Sequence, residues 1–171
     1  MSLSGFWWVL LIVVLILFPM SMLKPSVRQK TLIKLRDKAR ELGIKVDVVP
    51  HRVSDEIKLE GAGYRWLRPA DAPPLAGYLC LLKKEQGRDR GDVVFPNWQL
   101  ASGKLSFLSL EQQAGLADWL TRLPEDAFAV EWGSATLALW WHERDAKADL
   151  DTLNRDALAL LSLKVKKKLE N

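Results

Sequence analysis

Ala127-Phe-Ala-Val-Glu-Trp-Gly-Ser-Ala-Thr-Leu-Ala-Leu-Trp-Trp-His142 is the stretch on which the fold turns. Its first half alternates, so that Phe128, Val130 and Trp132 fall to one side of an extended chain. Gly133-Ser134 breaks the run, and the second half, from Ala135 to His142, is apolar on both faces. The pattern predicts a β-hairpin whose second strand is a central one, covered on both sides. Trp140 and Trp141 place one indole on each face of that strand, and a face left uncovered by the domain would be a partner surface.

Upstream of the hairpin, Ser109-Leu-Glu-Gln112 is a capping-box pattern, and Leu110, Leu116, Ala117, Leu120 and Leu123 give the helix after it an inward stripe that ends at Pro124. Strands are expected at residues 64–68, 75–83 and 93–100, the last at a sheet edge or bulged because it contains Pro96. The linker at residues 85–92 is polar and Gly-containing. Ile44, Val46 and Val48 alternate with Lys45 and Asp47, a strand stopped by Pro50. Before it, Leu32, Leu35, Ala39 and Leu42 repeat at helical spacing up to Gly43, with Pro25 suited to the first turn.

Downstream, Leu150, Leu153, Ala157, Leu161, Val165 and Leu169 step by three or four beside Lys164, Lys167 and Lys168. Either this helix packs on the domain core, the preferred reading, or its basic end meets a lipid surface. The expected architecture is α+β: a compact, mainly antiparallel sheet with helices packed on one side over residues 44–163, followed by a basic tail at 164–171.

The N-terminus carries a different signal. Residues 6–23 are apolar, preceded by an uncharged tail at 1–5 and followed by a basic helix at 24–43. Eighteen residues at a rise of ~1.5 Å give roughly 27 Å, near the ~30 Å hydrocarbon core of a bilayer. The expectation is a single transmembrane helix, with Trp7 and Trp8 in the interfacial belt, Pro19 near the far end and Lys24 at the boundary. The one-sided placement of Lys and Arg puts the N-terminus outside and the body in the cytoplasm of a bacterial cell. Neither a signal-peptide cleavage site nor a lipidation motif is expected in this sequence.

Charge is unevenly distributed. Residues 24–45 hold eight Lys/Arg against Asp37 and Glu41, and residues 164–171 hold four Lys against Glu170, yet the whole chain is only +4, so the body between is acidic. A nucleic-acid domain needs a basic face to displace counterions. Net positive charge concentrated at the two ends suits anionic lipid headgroups better, with Arg28, Lys30, Lys34, Lys164, Lys167 and Lys168 as the expected contacts.

The residues that carry chemistry are sparse. His51 and His142 lie far apart, and Cys80 stands alone, which excludes an intramolecular disulfide and zinc-ligand spacing within this sequence. His51, Asp55 and Glu56 cluster in sequence as the least poor set for acid–base work. Gly61-Ala-Gly63 lacks the third glycine of a dinucleotide cradle and reads as a turn. No cofactor and no small-molecule substrate is expected.

The junction Phe18-Pro-Met-Ser-Met-Leu-Lys24-Pro25-Ser-Val-Arg28-Gln-Lys30 resembles the start of the YajC family, bitopic accessory subunits of the bacterial preprotein translocase. Lys24, Pro25, Arg28 and Lys30 match that family's Arg/Lys-Pro and basic helix, while Gly43-Ile-Lys-Val-Asp-Val48 stands where the family carries Gly-Asp-Glu-Val. The resemblance implies a translocase-accessory role and covers only the anchor region.

These readings converge on a non-catalytic accessory, scaffold or assembly subunit of a bacterial inner-membrane complex, meeting its partner protein through Leu32, Leu35 and Leu42 or through Trp140 and Trp141. The alternatives are a membrane-tethered enzyme using His51, Asp55 and Glu56, and a nucleic-acid module held at the membrane.

Overall fold

The first half of the hairpin stretch forms strand β8, Ala127–Trp132, and the second half forms β9, Thr136–Trp141, paired antiparallel. The computed structural model describes residues 6–8, 11–15, 26–55, 57–72, 75–84, 91–144 and 148–163, and the chain divides into two units, Met1–Lys34 and Leu35–Asn171.

In the first unit, residues 6–8 and 11–15 are helical and exposed. Among the described residues no helix is long and apolar enough to cross a membrane. This corrects the expectation of an N-terminal transmembrane helix, and with it that of a single-pass membrane protein. The described helical stretches, three and five residues long, rise about 4.5 Å and about 7.5 Å, well short of a ~30 Å hydrocarbon core. Pro19, Lys24 and the tail at 1–5 lie outside the described residues.

Helix α1, Val27–Glu41, starts one residue after Ser26. Ser26 and Gln29 cap it reciprocally: the Gln29 N–H donates to Ser26 Oγ at 3.2 Å, and the Ser26 N–H donates to Gln29 Oε1 at 2.8 Å. It ends in a Schellman arrangement, with the Gly43 N–H donating to the Arg40 carbonyl and the Ile44 N–H to the Ala39 carbonyl, each at 2.9 Å. Gly43 has φ 76°, the left-handed region where a glycine suffers no Cβ clash.

The second unit is built on a seven-stranded antiparallel sheet. Its strands are β1 (Lys45–Asp47), β4 (Ala62–Leu67), β9, β8, β5 (Leu79–Lys83), β7 (Trp98–Gly103) and β6 (Val93–Phe95), in that spatial order. β2 (His51–Arg52) and β3 (Lys58–Leu59) form a separate two-stranded arm. Helix α2 (Leu110–Thr121) opens with the expected capping box of Ser109 and Gln112. Helix α3 (Leu150–Ser162) is capped by Asp149, whose carboxylate accepts from the Asp151 and Thr152 N–H groups.

Helices α1, α2 and α3 contribute to one core. Leu35 and Ala39 of α1, Leu116 and Trp119 of α2, and Leu153 and Ala157 of α3 join Tyr64, Trp66, Val130, Trp132, Leu139 and Trp141 of the sheet in a single apolar cluster. The α+β architecture with helices on one face is as expected, and α3 takes the packed reading: Leu150, Leu153, Ala157 and Leu161 are buried. Lys164, Lys167 and Lys168 lie outside the described residues. In α2 the stripe is rotated from expectation. Leu110 is exposed, while Gln112 and Trp119 turn inward. Gln112 can do so because its side-chain amide donates to the Leu163 carbonyl.

Two other departures have local causes. The expected strand at 93–100 is a hairpin, β6 and β7, joined at Pro96 and Asn97. Pro presets the first corner of a tight turn, and Asn97 takes φ 64°, a left-handed value that Asn tolerates. In β8 the register shifts between Ala127 and Ala129, a β-bulge that puts two consecutive side chains on one face. Phe128, expected beside Val130 and Trp132, therefore lies on the opposite side with Ala129 and Trp140, under Ile57 and Leu59. The arm β2–β3 forms the second cover of the sheet.

Candidate functional site

Buried carboxylates gather polar partners at two points. The first is Glu131, in β8, opposite Cys80 of β5 and Ala138 of β9. A carboxylate in a central strand is costly unless every lone pair finds a donor. Glu131 Oε1 accepts from the Tyr78 hydroxyl at 2.6 Å, and Oε2 accepts from the Trp140 indole N–H at 2.7 Å. His51, delivered by the arm, brings Nε2 to 3.4 Å of Oε1. Its imidazole stacks on Trp140 with centroids 5.5 Å apart and planes within 9°, and the Arg65 guanidinium lies 5.8 Å from the same indole.

Burial pushes the Tyr78 phenol upward from its ordinary value, and the hydrogen bond to Glu131 adds to the shift. Burial likewise pushes the Cys80 thiol up to about 12, reinforced by the Glu131 charge. A thiol held protonated is a poor nucleophile. The arrangement therefore suits a buried charge held in place, with His51 at its rim.

The second point is Glu143, just beyond β9. Its carboxylate accepts from the Tyr64 hydroxyl at 2.8 Å and from Arg36 through both Nε, at 3.0 Å, and Nη2. Glu143 has φ 52°, a left-handed backbone that a non-glycine residue holds only when its surroundings fix it. The Arg36 guanidinium is raised above its ordinary value chiefly by its hydrogen bond to Glu143, and burial raises the Tyr64 phenol. This network ties the second half of α1 to the sheet.

A concave surface lies elsewhere. A cleft of about 340 Å³ opens between the β6–β7 turn and the end of α2, lined by Phe95, Pro96, Trp98, Leu120, Leu123 and Lys83 among others. The Lys83 ammonium donates to the Glu125 carbonyl at 2.6 Å. Among the described residues no group of three His, Cys, Asp or Glu side chains is placed to hold a metal ion.

The structure redistributes the expected site residues. His51 is directed to Glu131 rather than to its sequence neighbours: Asp55 is exposed and lies 3.8 Å from Arg52, and Glu56 is outside the described residues. Trp140 and Trp141 are both fully buried, Trp140 under the arm and Trp141 under the helices, so neither offers a free partner surface. In the α1 seam Leu35 is buried in its own domain core, Leu42 packs against that core and Leu32 is half-buried. Trp7, Trp8, Arg28, Lys30 and Lys34 are exposed.

Glu131, Tyr78, Arg36 and Glu143 carry the buried electrostatics, and sequence reading passed over all four. Only Glu131 left a local trace, as the one charge within β8. No family model, curated protein or solved structure matches this chain.

Proposed function

We propose that this chain is a non-catalytic accessory, scaffold or assembly subunit of a protein complex at the bacterial inner membrane, with its α+β body on the cytoplasmic side. The observation that carries the reading is the exposed apolar surface at residues 6–8 and 11–15. Phe6, Trp7, Trp8 and the five residues 11–15 present large side chains to solvent, and apolar surface of that extent is ordinarily covered by a partner. The exposed Arg28, Lys30 and Lys34 would face anionic lipid headgroups. The body supports the same reading, because Glu131 and Glu143, the acids buried deepest, are each engaged by two or more donors from the protein itself.

The test is purification of the full-length chain at native expression in mild detergent, with mass spectrometry of what accompanies it, beside a variant carrying Trp7→Ser, Trp8→Ser and Leu11→Ser. A near-stoichiometric protein complex that the variant loses supports the reading. A chain that purifies alone, or a complex indifferent to the variant, counts against it.

A further inference from the structure

The sheet has two ends, and they differ. At one end β6 is interrupted by a register shift between Val93 and Phe95 and is followed directly by Pro96, both of which blunt an edge. At the other end β1 pairs with β4 in unbroken register, Lys45 with Arg65, Val46 with Tyr64 and Asp47 with Gly63, and among the described residues no strand lies on its outer side. The chain continues into Val48 and Val49, which are 54% and 71% exposed. An open edge with exposed apolar residues beside it is a template for another strand.

The charges on β1 select the occupant. If a second copy of β1 runs antiparallel to the first about a two-fold axis at Val46, each Lys45 stands opposite Asp47 of the other copy, and the pairing occurs twice. Val46 meets its own equivalent, and each exposed Val48 falls opposite Ile44. The same strand shifted by two residues loses both ion pairs. Pairing with β6 of another copy would set Lys45 and Asp47 against Val93, Val94 and Phe95 and would leave an open-ended chain of molecules. Lys45 is exposed, and Asp47 is half-exposed while reaching Arg65 at 3.3 Å, so both are at hand for a cross-copy partner.

We infer that β1 is a self-association edge, through which two copies of this chain join their sheets about a two-fold axis at Val46. The inference does not depend on the accessory-subunit reading, since a dimer could serve any activity.

The test uses the full-length chain. Residues directly opposite across an antiparallel pair have Cβ atoms about 4.5–5.5 Å apart, so Val46→Cys should oxidise to a covalent dimer, while Val93→Cys at the β6 edge should not. The native Cys80 is fully buried and gives a low background. Lys45→Glu and Asp47→Lys, each alone, set like charges opposite one another at both pairs and should weaken association about tenfold. Mixing the two variants restores both ion pairs in a heterodimer and should restore association, which a merely destabilised fold would not do. Failure of Val46→Cys to cross-link, cross-linking at Val93→Cys instead, or an association indifferent to the charge swaps would each overturn the inference.

Discussion

Glu131 and Trp140 sit diagonally across the central strand pair β8–β9, and the Trp140 indole N–H donates to Glu131 Oε2 at 2.7 Å. The buried charge of the sheet is thus held partly by one of its largest apolar side chains. Trp132, on the opposite face, is equally buried, yet among the described residues its indole N–H finds no hydrogen-bond partner.

That contrast separates two otherwise similar substitutions. Trp140→Phe removes volume and also deprives a buried carboxylate of a donor, whereas Trp132→Phe removes volume together with an unsatisfied N–H. Trp140→Phe should be the more destabilising by about 1–3 kcal/mol in urea unfolding. Equal costs for the two variants would show that the Glu131 bond contributes nothing.

Arg36 and Glu143 lie 107 residues apart and meet in a two-pronged ion pair that Tyr64 completes. Arg36→Met should cost about 2 kcal/mol, less than a fully buried pair because the Arg36 side chain is 31% exposed. Adding Glu143→Gln removes the stranded charge and should recover part of the loss. A double variant as unstable as the sum of the singles would argue against coupling between the two residues.

Stability should fall at alkaline pH. The Cys80 thiol is pushed from an ordinary 9.0 to about 12 in the folded protein, so the unfolded chain releases this proton first. Its contribution is present in full below about pH 9 and is lost as pH rises toward about 12. Tyr64 and Tyr78, also raised, act in the same direction from their ordinary 10.0 upward. The urea midpoint should therefore decline above pH 9, and Cys80→Ala should delay the onset. A midpoint that stays flat to pH 11 would contradict this account.

Two glycines should respond differently to alanine. At Gly43 a new Cβ meets nothing within 4 Å, so Gly43→Ala carries only the left-handed backbone cost of about 1 kcal/mol. At Gly63 the Cβ would lie 2.8 Å from the Trp140 ring, itself packed under the arm, and Gly63→Ala should cost about 1–3 kcal/mol. Thermal unfolding of the two variants ranks them, and a larger loss at Gly43 would reverse the argument.

Features encoded within a few residues were legible in the sequence. The β8–β9 hairpin, the capping box of Ser109 and Gln112, the helix stop at Gly43 and the stripe of Leu150, Leu153, Ala157 and Leu161 each follow from spacing or from a single backbone requirement. What escaped depends on partners distant in sequence or on one-residue irregularities. His51 meets Glu131 and Arg36 meets Glu143 only because the sheet brings them together. The arm consists of strands of two residues each, too short to show a period. In the N-terminal run, apolar composition suggested a span that the described helical residues are too short to provide.

The bulge in β8 also constrains how this sequence can vary. Deleting Phe128 would restore a plain alternation, and the arm would lose its floor without any change in the arm itself. Adding a residue on the other side of the shift would move Val130 and Trp132 out of the helical core. The strand thus carries two reading frames, one for each face, and substitutions there are free to exchange size or shape but not count.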